Sequence, residues 1–421
     1  VNIRIELDKD QSINLYKEPI PSLDKKLEEL KSKLPSVEQM ILFDSDFDDW
    51  NFSSTYWIDF DFISVEFNHP IWVLFSSGTT GKPKAITHST GGILIEQYKS
   101  HSLHQNISEG DRFFWNTTTG WMMWNYAIGS LLCGAKLCLY DGAANFPDIG
   151  VQWRFAKSVK INHFGNGSPL FIASMKQNIK DVNNEDLNCI KTIGATGSPL
   201  SVEAFEWIQK KLPNAQIISL SGGTDICSAF IGGCTKLPVY SGFLQCNMLG
   251  ASIEAWNENG ESVELITGEL VITEPLPSMP LFFWGDNDFK KYHDSYFNKN
   301  EGVWTHGDWI FIDKNKGILM QGRSDATLNR NGIRIGTSEI YSVLDKLKEV
   351  KDSLIIDLEI NNSSKLILFI QTTSNLNNEL KSKIHNLIKT KCSPRHTPNL
   401  IFSISQIPYT ISGKKMEIPI K

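Results

Sequence analysis

An apolar run, Ile71-Trp72-Val73-Leu74-Phe75, passes directly into Ser76-Ser77-Gly78-Thr79-Thr80-Gly81-Lys82-Pro83-Lys84, and a helical pattern carrying Ile93, Leu94 and Tyr98 comes after Ser89-Thr90. No other stretch constrains the chain as much. The apolar run, bounded by polar residues, reads as a buried strand. In the loop, glycines let backbone N–H groups converge on an anion, hydroxyls add donors, and Lys82 and Lys84 bring positive charge. Such a loop suits a nucleotide's phosphates. It is not a G-x-x-x-x-G-K-[ST] loop, because Gly78 to Gly81 is too short and Pro83 succeeds the lysine. Taken alone, a string of this kind also reads as a plain polar surface loop.

The pattern of the downstream residues favours a phosphate site. From 71 to 225, strand-like runs alternate with helical patterns. The strands are Arg112–Asn116, Lys136–Tyr140, Ile190–Ile193 and Gln216–Leu220, and the helices lie near Met122–Cys133, 151–160 and Val202–Leu212. Repeated β-α alternation argues an α/β fold with a parallel sheet, whose ligands sit beyond the carboxyl ends of the strands. Residues 226–322 change character, with shorter strands at Ser252–Trp256, Gly268–Thr273 and Trp309–Asp313 punctuated by Gly and Pro, and read as a β subdomain. After Gly322 come helices near Glu339–Leu347 and Asn378–Lys389 and strands at Leu354–Leu358, Leu366–Gln371 and Leu400–Ser405, the pattern of a small α+β domain. The expected division is a large domain over 1–324 and a small one over 325–421. Before residue 70 the signals are weaker: an amphipathic helix over Leu23–Leu34, a strand over Val37–Phe43, and an acidic, aromatic surface loop over Asp44–Phe62.

Composition excludes several classes. A net charge of −6 gives no basic footprint for nucleic acid. No apolar run reaches the roughly 18–20 residues of a membrane span. Seven scattered cysteines without a C-x-x-C pair read as free thiols of a reducing, cytoplasmic compartment.

Six strings, in order, resemble the motifs of the adenylate-forming superfamily of acyl-CoA synthetases, luciferases and peptide-synthetase adenylation domains. They are residues 75–84, Gly194–Pro199, Ser221–Asp225, Thr305–Asp308 with Gly322–Asp325, Asn331–Arg334, and Tyr409–Lys415. The resemblance implies a two-domain fold using ATP, Mg²⁺ and coenzyme A. It implies ATP contacts at Ser76, Ser77, Gly78, Thr79, Thr80, Gly81, Lys82 and Lys84, and adenine contacts at Gly197, Ser198 and Pro199. Gly223 and Thr224 would meet the phosphates, Asp225 would take Mg²⁺ where the family usually has Glu, and Asp308 with Arg323 would hold the ribose. Asp325 would be the hinge, Arg334 would lie near the adenylate phosphate, and Gly332 would line the CoA tunnel. Lys414 would be the catalytic lysine, bridging carboxylate and α-phosphate, while Lys389 and Arg395 stand where a CoA phosphate could be met or are simply exposed basic residues.

Gly120–Asn125, Ser221–Ile226 and Phe282–Asp286 resemble the branch of that family that activates acetoacetate. Members specific for acetate place a blocking tryptophan where Gly222 stands, so the resemblance implies a pocket open to about four carbons, with Trp121 and Met122 as its wall. Trp121 to Trp124 also reads as ordinary helix core. Another short- or medium-chain acid, or a nucleotide-binding remnant without turnover, are the alternative readings. Family members are longer, which implies further large-domain elements upstream of Val1 and apolar surface here that those elements would cover.

Overall fold

The computed structural model describes residues 2–7, 13–18, 28, 32–33, 62–76, 83–324, 328–330, 333–335, 337–360, 363–373, 375–409 and 415–420. Two compact units divide near residue 65. The first contains an antiparallel hairpin of β1 (Asn2–Leu7) and β2 (Ile13–Glu18), absent from the sequence reading. Of the helix expected over 23–34, residues 28, 32 and 33 are described and helical. The expectations for 37–43 and most of 44–62 lie outside the described residues.

The second unit opens with β3 (Pro70–Phe75) and β4 (Ala85–Ser89), paired antiparallel. Here the structure corrects the reading of strand, loop and helix in a parallel sheet: residues 76–84 join a hairpin. The second strand escaped notice because most of what it buries is polar: Thr87 and His88 are fully inaccessible, and Ile86 is its one large apolar side chain. Ser89 then caps α1 (Thr90–Tyr98), accepting a hydrogen bond from the Gly92 amide at 3.1 Å. Leu94, Ile95 and Tyr98 on this helix are exposed, as are Leu131 and Leu132 beyond it.

Five strands form the parallel sheet: β5 (Arg112–Trp115), β6 (Lys136–Leu137), β7 (His163–Gly167), β8 (Thr192–Thr196) and β9 (Gln216–Ser219), in the order β6-β5-β7-β8-β9. Between them run α2 (Met123–Gly129), α3 (Val151–Val159), α4 (Ser168–Lys176) and α5 (Val202–Lys211). The strand expected over 136–140 stops at Leu137, and the one expected over 190–193 is shifted to 192–196. The β7–α4 pair was not expected, since His-Phe-Gly-Asn-Gly lacks the apolar run of a buried strand. Its Gly165 is required: the Trp115 indole lies across Gly165 and Gly194 of the next two strands, and a Cβ at either would overlap the ring. On the covered face, Trp153 stacks on Phe164 at 4.4 Å and Phe171 closes the cluster.

Beyond β9 the chain turns antiparallel. β10 (Ser221–Gly223), β11 (Ser228–Gly232) and β12 (Cys246–Asn247) make a three-stranded sheet. β13 (Ile253–Trp256), β14 (Thr267–Ile272), β16 (Trp304–Ile312) and β17 (Ile318–Arg323) make a four-stranded one, while β15 (Phe282–Phe283) adds to β4, and α6 (Lys290–Tyr296) precedes β16. The last segment has its own core of Leu328, Ile340, Leu368, Ile384 and Ile401. It carries β18 (Leu328–Arg330), β19 (Ile333–Ile335), α7 (Thr337–Leu344), β20 (Val350–Ile360), β21 (Ser363–Thr372), α8 (Asn378–Lys391) and β22 (Leu400–Ser403). Lys346 meets Glu203 at 3.0 Å, tying this segment to the helix beside the parallel sheet.

Replacing Gly165 with Ala drives a methyl into the Trp115 ring and is expected to lower stability by about 1–3 kcal/mol. Denaturant midpoints check this, and adding Trp115→Leu should recover part of the loss.

Candidate active site

The parallel strands deliver their loops to one edge. Leu220 N donates to Ala195 O at 2.8 Å and Thr196 Oγ1 to Leu220 O at 2.8 Å, so the loops after β8 and β9 start side by side. Gly197 then turns at φ +87°, a left-handed conformation suited to glycine, with open space where a Cβ would stand. The Ser198 carbonyl is held by Ser168 Oγ at 2.6 Å, and Ser201 caps α5 by accepting from Ala204 N at 3.3 Å.

After β9 the hairpin of β10 and β11 brings Gly222, Gly223, Thr224 and Asp225 to the same edge. A Cβ on Gly222 would overlap the Ser228 carbonyl and Ala229 Cα of the partner strand. Close pairing of two backbones is therefore one reason for glycine there, independent of any pocket. Met122 is buried with Phe113, Trp115, Tyr126 and Leu220, and Trp121 packs partly buried against this cluster.

Asp225 is the centre of the edge. Its side chain is 15% exposed, and Lys84 Nζ, arriving from the end of the 76–84 connection, meets Oδ1 at 2.7 Å. Ser76 Oγ accepts from the Lys84 amide at 3.3 Å, which holds the two ends of that connection together. The Tyr296 hydroxyl donates to the same Oδ1, and Lys84 Nζ donates to the Tyr296 oxygen at 3.3 Å. Below, His88 Nε2 donates to the Asp225 carbonyl at 3.0 Å. Burial raises the Asp225 pKa, but the Lys84 charge, the His306 ring and hydrogen bonds from Lys84 and Tyr296 outweigh it and hold the carboxyl well below the usual range. Burial, with the neighbouring carboxylate, pushes the Tyr296 phenol well up, so it stays a donor. Burial also lowers His88, which remains neutral.

A second acid–base pair lies beside the first. Asp308 and Arg323 are direct partners across β16 and β17, with Nη1 to Oδ2 at 3.4 Å. His306 Nε2 is 3.6 Å from the same Asp308 oxygen, and a Cβ on Gly223 would lie 3.7 Å from His306. Lys84, Asp225, His306, Asp308 and Arg323 thus form one line of ionisable side chains next to the glycine-rich turns. Of the residues singled out in the sequence, the structure gathers Ser76, Lys84, Gly223, Thr224, Asp225, Asp308 and Arg323 along this line. Gly197, Ser198 and Pro199 stand at the adjacent strand end. Lys389 is exposed in the last turn of α8, and Arg395 is exposed beyond it. Ser77, Gly78, Thr79, Thr80, Gly81, Lys82, Asp325, Gly332 and Lys414 lie outside the described residues, and Arg334 is described as backbone alone.

Sequence reasoning missed Tyr296 and His88. Both lie outside the recognised strings: Tyr296 stands in the polar, charged stretch 290–300 and His88 between Thr87 and Ser89, so no apolar pattern marked either residue.

Chemically, the line offers positive charge and amide-rich turns to a polyphosphate, and a carboxylate to its cation. Among the described residues no group of three or more His, Cys, Asp or Glu gathers to cage a metal. A lone carboxylate fits Mg²⁺, which takes most of its ligands from phosphates and water.

These features define an α/β protein in which glycine-rich turns gather beside the carboxyl end of a parallel sheet. The chain belongs to the AMP-binding enzyme family, whose description matches residues 16–279. It is 42% identical to an acetoacetyl-CoA synthetase of Gallus gallus over 86% of this chain and 55% of that protein. It is 40% identical to an acetoacetyl-coenzyme A synthetase of Rhizobium meliloti over 86% of this chain and 56% of that protein. Among solved structures it resembles the acetoacetyl-CoA synthetase of Streptomyces lividans, with a TM-score of 0.79 and 42% identity over 84% of this chain and 55% of that one. An anthranilate CoA ligase at 20% identity shares the fold, with a TM-score of 0.71 over 83% of this chain and 66% of that one. The chain spans about half the length of the relatives it matches.

Because the Asp225 pKa is depressed on folding, its contribution to stability is present above the ordinary carboxylate range and is lost as pH falls toward the folded value. Asp225→Asn is expected to cost roughly 1–3 kcal/mol at pH 7, less than a fully buried pair, because Lys84 is 33% exposed. The gap from wild type should narrow below about pH 4 in denaturant melts, near the reference pKa of Asp.

Proposed function

We propose that this chain carries out AMP-forming activation of acetoacetate by ATP and its ligation to coenzyme A. The observation that carries the reading is the convergence of Lys84, from the phosphate-type connection, with Asp225, from the Gly-Gly-Thr-Asp turn. The convergence falls in a chain 42% identical to acetoacetyl-CoA synthetases.

The residues divide the work by their chemistry. Ser76, Ser77, Gly78, Thr79, Thr80, Gly81, Lys82 and Lys84 surround the triphosphate with amides, hydroxyls and two ammonium groups. Gly197, Ser198 and Pro199 offer flat backbone to adenine, and Asp308 accepts from the ribose hydroxyls while Arg323 holds Asp308. Thr224 meets the α-phosphate, and Asp225 binds the cation that accompanies ATP. That ion, Mg²⁺, neutralises phosphate charge when bound.

In the first step a carboxylate oxygen of acetoacetate attacks the α-phosphorus, the bond to pyrophosphate breaks, and a mixed anhydride with AMP forms. Two anions must approach one another, so Lys414 and Arg334 supply positive charge that counts most in the transition state. Residues 325–421 then turn about Asp325 and bring Gly332 and Lys389 to coenzyme A. The CoA sulfur attacks the acyl carbon and AMP leaves. Trp121, Met122 and Gly222 shape the acyl pocket. The substrates are small soluble molecules, which suits a cytoplasmic enzyme.

Acid-dependent exchange of pyrophosphate into ATP tests the reading. Acetoacetate is expected to drive exchange about tenfold or more above acetate, the scale on which apolar pocket differences discriminate. Lys414→Ala should lower the rate by about two to three orders of magnitude. Exchange with butyrate or 3-hydroxybutyrate but not acetoacetate would keep the chemistry and replace the acid. ATP binding with no exchange for any acid would contradict the reading and leave a nucleotide-binding protein.

A further inference from the structure

Asp225 has two carboxylate oxygens, and the structure treats them differently. Oδ1 accepts from both Lys84 Nζ, at 2.7 Å, and the Tyr296 hydroxyl. Oδ2 has no hydrogen-bond partner among the described residues and lies on the Gly223 side, where a Cβ on that residue would be 3.3 Å away. One oxygen is tied down from behind, and the other faces the glycine-rich turn.

The phenol that ties Oδ1 is itself rigidly set. Tyr296 is 3% exposed. Its ring stacks on Trp304 at 3.5 Å and 13°, and meets the edges of Phe283 and Tyr292 at 5.8 and 5.3 Å. The helix carrying it is fixed at its start by Asp286, which accepts from the amides of Lys291 at 3.1 Å and Tyr292 at 2.8 Å. Trp304 in turn donates from Nε1 to His306 Nδ1 at 3.3 Å. One aromatic block therefore backs both Asp225 and His306. A phenylalanine would fill the same stack, so packing alone does not call for the hydroxyl.

We propose that Tyr296 is a positioning residue: its hydroxyl holds Oδ1 of Asp225 so that Oδ2 faces the turn as the single oxygen offered to the nucleotide's divalent cation. This rests on the nucleotide site proposed above. Aspartate is one methylene shorter than glutamate, and a free Asp side chain samples several rotamers. Two donors on one oxygen select a single orientation, and a hydrogen bond to an ionised group is worth more than a neutral one. Lys84 is unsuited to act alone, since its charge is also the natural partner of the phosphates. The neutral phenol has no such second partner, and it keeps its grip on Oδ1 when the phosphates draw Lys84.

The test uses the full chain, Mn²⁺ as the divalent probe and ATP as the nucleotide. Electron paramagnetic resonance reads Mn²⁺ taken up in the ATP complex, and calorimetry in EDTA reads metal-free ATP. Tyr296→Phe is expected to weaken Mn²⁺ uptake about tenfold, the scale of one hydrogen bond to a charged group, while metal-free ATP affinity stays within about twofold. Tyr292→Phe, in the same aromatic block, should move neither. Unchanged Mn²⁺ uptake in Tyr296→Phe, or an equal loss of Mn²⁺ and ATP, overturns the proposal. Asp225→Asn separates the two levels. If it abolishes Mn²⁺ uptake while Tyr296→Phe does not change it, only the role of Tyr296 falls. If Asp225→Asn leaves Mn²⁺ uptake intact, the cation site falls and the inference with it.

Discussion

The 2.7 Å ion pair between Lys84 and Asp225 joins segments 141 residues apart, whose neighbours Ile86, Ile226 and Phe230 share one core. Lys84 ends a hairpin connection, and Asp225 sits in the turn between β10 and β11, just beyond the last parallel strand. The Asp225 carboxylate is largely buried, and a buried ion without a partner costs several kcal/mol. Asp225 is held by Lys84, by Tyr296 and, through its own backbone carbonyl, by His88, while Lys84 is held by Asp225 and the Tyr296 oxygen. An anion and a cation are thus held where a ligand of opposite polarity could exchange with them.

The scaffold beneath makes this placement cheap in structural terms. Parallel strands point their carboxyl ends the same way, so the loops after β8 and β9 arrive side by side without further constraint. Trp115, lying over Gly165 and Gly194, packs on the face opposite Trp153 and Phe164. The antiparallel extension through β10 and β11 then carries Asp225 toward Lys84, and the pairing of β16 with β17 brings Asp308 opposite Arg323. Each of these side chains is set by a strand or a strand end, which is why they fall on one line.

Much of this was legible in the residues. Alternating strand and helix patterns over 112–220 gave the parallel sheet, because its strands are apolar and its helices have one buried face. Glycine-rich strings marked the loops that gather at its edge. The misreadings have physical causes. β4 and β7 carry Thr, His, Ser, Gly and Asn in buried positions, and such strands have no apolar alternation to detect. Tyr296 looked like one more aromatic residue, since a sequence does not reveal that a phenol's oxygen meets a carboxylate 71 positions away. The Gly222 backbone contact was equally hidden, because strand pairing is non-local. Of the residues assigned through family likeness, Asp325, Gly332 and Lys414 fall outside the described part of the chain.

The most direct measurement is a crystal structure of this chain with ATP and a divalent cation. The account predicts the triphosphate between residues 76–84 and 222–225, adenine against Gly197–Pro199, and the Lys84 ammonium drawn from Asp225 toward a phosphate oxygen. Nucleotide bound at another surface, with the Lys84–Asp225 pair unchanged, would contradict it.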